Sequence, residues 1–342
     1  LSVIRSKIHT KIAVSRKPLK LINIRKMGKK RLVKFCRKWA SESTYLSNLC
    51  VEISFLFCIY FTAMRVGVFF HPHFGEKDWP IIGNKFANFK NILRKFANRK
   101  EIILFEPPDP EEDLILLVHE KSYLDSLKNA SYFKAACLSV SGTYMALKMI
   151  KEGAIDNALV FSCAAGHHAE KASGWGGTYL SCIGPAIYAY WKEYGPEKFA
   201  IIDTDSHHGN GTREIFRNEK DVLHVCFCSV DRIEGQGEKI DVNVGWRISD
   251  DQYLELVRRE FYPRVKAFKP FAIFHNFGHD TCEGDYGDRG LTTNFFLRLA
   301  EEVKSYAKEF SFGRYIVITH GGSRKDVAEY IFPAIIEILA GD

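Results

Sequence analysis

Long apolar runs are scarce in this chain of 342 residues. The stretch ISFLFCIYFTA, residues 53–63, is too short for the ~20 apolar residues of a membrane-spanning helix, so no transmembrane span is expected. A secretory leader is not expected either, because about fifty residues precede that stretch where a leader carries a handful. Repeated cysteine spacing is also missing. The nine cysteines are an odd number, and beyond Cys226 and Cys228 they are scattered, which argues against a disulfide framework and for reduced thiols in a cytoplasmic protein. After residue 64 there is no internal repeat, no low-complexity tract and no Pro/Ser-rich linker. Solenoid and disordered classes are thereby excluded, and a single domain over 64–342 is expected.

Acid is nearly absent from the first segment. Residues 1–63 hold 14 Lys/Arg against Glu42 and Glu52, which leaves 34 Lys/Arg against 39 Asp/Glu for everything after. The formal charge of +7 therefore belongs to a basic N-terminal extension. The leading expectation is that this segment is foreign to the native fold, with a start at Met64 ahead of the strand-like MRVGVFF. Two other readings stay open: a basic arm touching nucleic acid or anionic lipid, and a helix that binds a partner.

What is present after Met64 is alternation. Short apolar runs at 66–70, 101–105, 158–162, 199–205, 222–228, 271–275 and 315–319 read as strands. Segments 131–153, 251–268, 293–310 and 326–339 carry apolar residues at three-to-four spacing and read as amphipathic helices, the last interrupted at Pro333. This is a βαβ pattern, and open parallel sheets place active sites beyond the carboxyl ends of their strands.

Four strand ends carry chemistry. DTDSHHGNG after 199–205 sets Asp203, Asp205 and His207 on one side by the period of two. AAGHHAEKASGWGG after 158–162 supplies His167 and His168. HNFGHDTCEGDYGD after 271–275 supplies Asp280, and THGGSRKD after 315–319 brings a glycine pair close to whatever binds there. Taken singly, each has a plain alternative: capped aspartates in a turn, solvated histidines, a helix-capping acidic loop and a βα turn.

Together and in this order the four segments resemble the histone deacetylase superfamily, with GHHA and DTDSHHGNGT as the specific matches. The resemblance implies an arginase/deacetylase-like fold, an α/β architecture whose parallel eight-stranded sheet carries helices on both faces. It also implies a catalytic metal on Asp205, His207 and Asp280, with Zn2+ the default and Fe2+ or Co2+ also compatible. His168 would act as general base and acid on a metal-activated water, and His167 as its electrostatic partner. Asp203 would orient His167, and Asn210 would stand behind His168. Trp175, Gly322 and Ser323 would face the substrate, with Trp175 walling an aliphatic channel; core packing is the plain alternative for that tryptophan. A weak monovalent-cation site near Asp203, Asp205 and the VCFC strand end follows only by analogy.

One position departs from the pattern. Most active members follow the glycine pair with a tyrosine that donates to the oxyanion, and here the residue is Ser323. Loss of such a donor costs about 3 kcal/mol. Another hydroxyl could take its place, Tyr286 among them. The expected activity is hydrolysis of an acyl-amine such as an acetylated lysine, a polyamine or a small metabolite. The alternative is a weakened relative that binds an acyl-amine without turning it over. His320, His275 and His279 are expected to be supporting or surface histidines.

Overall fold

The computed structural model describes residues 64–341. The basic extension and its alternative readings lie outside the described residues.

Nine strands form one sheet: β1 (Val66–Phe69), β2 (Ile102–Phe105), β3 (Asn157–Val160), β4 (Phe199–Asp203), β5 (Val222–Cys228), β6 (Arg232–Glu234), β7 (Lys239–Asn243), β8 (Ala272–Phe277) and β9 (Tyr315–Thr319). Their order is β2-β1-β3-β9-β8-β4-β5-β7-β6. Every pairing is parallel except β6 with β7. The eight-stranded expectation is thus corrected to nine: eight parallel strands and one short antiparallel edge. The cause is local, since the four residues between β6 and β7 are too few for a crossover, and Gly235 and Gly237 at φ 69° and 100° allow the chain to fold back.

Both faces are covered, as parallel sheets require. Alternate residues of β4 go to opposite sides: Phe199 and Ile201 join the cluster with helices α1 (Phe133–Lys151) and α2 (Ile183–Tyr194), while Ala200 and Ile202 join the cluster that includes α3 (Asp250–Glu260), α4 (Thr293–Phe310) and α5 (Lys325–Ala340). Helix α3 begins with a capping box in which Ser249 accepts from the Gln252 amide. Helix α5 runs through Pro333 without interruption, which corrects the expected break. Pro333 removes one backbone donor, but Ile331, Phe332, Ile335, Ile336 and Leu339 are fully buried around it, and that packing outweighs the lost bond. Among the described residues no helix is long and apolar enough to cross a membrane.

The topology decides where chemistry can gather. Strands β3, β9, β8 and β4 are consecutive neighbours in the sheet, and the four motif-bearing loops leave their carboxyl ends side by side. Segments separated by more than a hundred residues of chain therefore meet at one rim.

Candidate active site

Strand β4 ends at Asp203, which is fully buried. Its carboxylate can only accept, so His167 Nδ1, 3.0 Å away, must carry the proton between them. Asn276 Nδ2 also donates to it, at 2.9 Å. Burial opposes the charged form of His167, yet the Asp203 and Asp205 carboxylates outweigh it and raise the imidazole to about 9.

His168 is fixed in the opposite state. Asn210 Nδ2 donates to Glu170 at 2.9 Å, which turns Asn210 Oδ1 toward His168 Nδ1 at 2.7 Å. His168 Nδ1 is therefore the donor, and Nε2 keeps its lone pair. Burial, and then the neighbouring His167, lower His168 to about 3. Two adjacent rings 4.1 Å apart are thus pushed to different protonation states, the pattern expected of an acid/base pair.

Beyond Asp203 the chain bends, and the next groups converge. Asp205, His207 and Asp280 each offer a donor atom within 4.8 Å of the others. His207 Nδ1 lies 3.0 Å from Asp205 Oδ1 and 3.1 Å from Asp280 Oδ2. Asp205 and Asp280 are both buried, and two ionised carboxylates so placed repel; burial, and then Asp205, hold Asp280 above the usual carboxylate range. A divalent cation would relieve that repulsion, and two carboxylates with one imidazole form a donor set that leaves positions open for water and substrate. The residues fit the metal that the sequence implies. Gly321 is needed beside them: its N–H donates to Asp205 Oδ2 at 2.9 Å, and a Cβ there would come within 2.3 Å of that oxygen.

His167, His168, Asp205, His207 and Gly321 line a cavity of about 190 Å3. Trp175 stacks on His168 at 4.0 Å and is 53% exposed, so it walls the mouth and is not a core residue. Tyr286 faces the mouth from the other side, its ring 5.9 Å from His207. The hydroxyl of Tyr286 accepts from Gly322 N–H at 2.8 Å, and its own proton has no acceptor among the described residues. Burial, and then Asp280 and Asp205, hold that phenol protonated far above its usual range. Gly322, at φ 103°, makes this turn possible.

Ser323 is turned elsewhere. Its hydroxyl donates to Asp285 Oδ1 at 2.9 Å, and the same carboxylate accepts the amides of Ser323 and Arg324.

Of the expectation that His320, His275 and His279 are supporting or surface histidines, the surface alternative is overturned. All three are buried. His320 lines the cavity against His167, with ring centroids 5.1 Å apart. His275 is held between Thr204 and Tyr315, and His279 lies under Gly322. Sequence reasoning missed Lys85, fully buried, whose Nζ donates to the His320 carbonyl at 2.5 Å. It also missed Asn276 and Asp285 as supports. Only their presence within the motif strings could have suggested the last two.

A family model described as the histone deacetylase domain matches residues 84–339. Histone deacetylase HDA1 of Candida albicans is 29% identical over 278 residues, covering 75% of this chain and 33% of that protein. The histone deacetylase-like amidohydrolase of Pseudomonas aeruginosa is 28% identical over 265 residues, 69% of this chain and 70% of its own length. A probable deacetylase of Archaeoglobus fulgidus is 26% identical over 316 residues, 81% and 87% respectively. This chain spans about a third of the Candida relative and most of the other two.

Proposed function

The chain belongs to the histone deacetylase family, and from that premise we propose that it hydrolyses an acyl-amine, with Asp205, His207 and Asp280 holding a divalent cation. What carries this reading is the convergence of those three groups at one point, with Asp205 and His207 lining the same cavity as His167 and His168. A cation held there, Zn2+ by default, supplies Lewis acidity to the scissile carbonyl and acidifies water at the site. His168 Nε2 takes a proton from the attacking water as the new C–O bond forms, then hands it to the departing amine as C–N breaks. His167, kept protonated by Asp203, offsets the negative charge that develops meanwhile. Asn210 holds the His168 tautomer that this requires, and Trp175 shields an aliphatic chain in the mouth.

The donor to the oxyanion is Tyr286 and not Ser323. Supporting this are the uncommitted Tyr286 proton and the engagement of the Ser323 hydroxyl with Asp285. That same engagement is the one observation favouring a second reading, a protein that binds acyl-amines without hydrolysis.

Acetate release from acetylated lysine peptides, polyamines and small N-acetyl compounds, measured on metal-loaded protein, separates the two. Turnover that disappears in Asp205→Ala is the expected result. Saturable binding of the same compounds without acetate release establishes the binder instead, and equal release by both proteins removes the metal-dependent reading.

A further inference from the structure

A second convergence of metal-type donors lies beside the first and shares no residue with it. Strand β5 ends in Cys226-Phe227-Cys228, and its period of two sends Phe227 into the core while both thiols go to the other face. Asp241 of β7 stands in direct register with Cys226, and His208 comes over from the loop after β4. Donor atoms of these four residues all lie within 4.8 Å of one another.

The spacing fits a tetrahedron. Ligands bound at about 2.0–2.3 Å in tetrahedral geometry stand roughly 3.3–3.8 Å apart. His208 Nδ1 lies 3.3 Å from Asp241 Oδ1 and 3.8 Å from Cys228 Sγ. Three further observations point to a missing ligand. Asp241 Oδ2 is buried without a hydrogen-bond partner, although Oδ1 has Arg213 at 2.5 Å. Gly209 N–H points at Cys226 Sγ from 3.4 Å, as amides do toward thiolates that carry negative charge. Both cysteines are free, so no disulfide accounts for their pairing.

We propose that His208, Cys226, Cys228 and Asp241 form a second metal site that takes a zinc-class ion in closed, four-ligand, structural coordination. Two thiolates and an imidazole favour a borderline-soft ion over the hard cations that oxygen ligands select. Binding forms two metal–sulfur bonds and releases the two thiol protons to solvent. Arg213 balances the charge, since two thiolates and a carboxylate outnumber a divalent ion by one. The site ties the loop bearing Asp205 and His207 to the far edge of the sheet, because His208 and Gly209 continue that loop.

Cobalt(II) is the probe, since a thiolate ligand gives it a near-ultraviolet charge-transfer band that oxygen and nitrogen ligands do not. Reduced, chelator-stripped full-length protein is titrated with Co2+ alone and then Zn2+ alone. Two ions per chain with the sulfur band are expected. Asp205→Asn/Asp280→Asn protein should keep one ion and the band, whereas Cys226→Ser/Cys228→Ser protein should keep one ion and lose the band. Absence of the band from the wild type, or its persistence in the double-serine protein, overturns the proposal. Should the double-serine protein fail to fold by circular dichroism, His208→Ala serves: affinity at the band falls about tenfold or more if the site exists, and an unchanged affinity refutes it.

Discussion

In the proposed reading Tyr286 supplies the donor that Ser323 does not, and Asp285 sets that arrangement. That carboxylate collects the amides of Tyr286, Ser323 and Arg324 and the serine hydroxyl, which ties the turn down, while the next residue along the chain, Tyr286, swings its phenol back onto the Gly322 amide. Tyr286→Phe removes only the hydroxyl. We expect kcat to fall on the order of 10²- to 10³-fold, with little change in KM, because the donor acts on charge that exists only in the transition state. Ser323→Tyr on that background should recover part of the loss, and a Tyr286→Phe enzyme with unaltered kcat would place the donor elsewhere. At this scale much was legible. GHHA and DTDSHHGNGT name four of the five groups that converge, and HNFGHDTCEGDYGD supplies the fifth, Asp280, since the chemistry demands those residue types. Lys85 was not legible, because its contact with the His320 carbonyl spans 235 residues and depends on how a loop before β2 folds. The cluster of Cys226 and Cys228 was hidden for a similar reason: its other two donors come from separate elements, so chain spacing alone shows only a pair.

Elements followed their apolar periodicity where it was strong. Seven strands and the helices α1, α4 and α5 lie within a residue or two of their sequence-based limits. Strand β7 escaped because Lys239, Asp241 and Asn243 alternate with only Ile240 and Val242, and its buried lysine and aspartate find partners that no pattern reveals: Lys239 donates to the Glu219 and Val222 carbonyls, and Asp241 accepts from Arg213. Helix α2 escaped because Gly184 and Pro185 read as breakers, although proline is tolerated in a first turn, where the N–H has no helical acceptor. Helix α5 offers the test of packing against propensity. Phe332 follows directly on its mid-helix neighbour Ile331 and meets Phe86, Phe89, Phe161 and Phe277. Phe332→Ala should lower unfolding free energy in urea by about 3–5 kcal/mol. Pro333→Ala should leave stability level or raise it; a large loss there would mean that the proline shapes the helix and is not merely accommodated.

For the whole molecule, burial of ionisable groups sets how stability responds to acid. His119 is 3% exposed, its Nε2 accepts the Ser181 amide at 2.9 Å, and burial lowers its pKa to about 4 from an ordinary 6.5. The folded state therefore holds the ring neutral, while the unfolded chain takes up a proton below 6.5. The sign follows: the contribution is complete above pH 6.5, shrinks as pH falls, and is gone below about 4. Across that window it amounts to about 3 kcal/mol. His224, His275 and His320 are lowered by burial in the same direction, so urea unfolding at several pH values between 7 and 4 should show their joint slope, and His119→Gln, which keeps an acceptor for Ser181 without a titrating group, should make it shallower by the His119 share. A slope unchanged by the substitution would assign the acid sensitivity to other buried groups. The distinction matters for the candidate site, because His119 meets the chain at Ser181, directly after Leu180, whose carbonyl accepts the Gly166 amide beside His167 and His168. Through that pair of bonds activity should decline with acid alongside the stability slope, and His119→Gln should weaken the decline in a pH–activity profile.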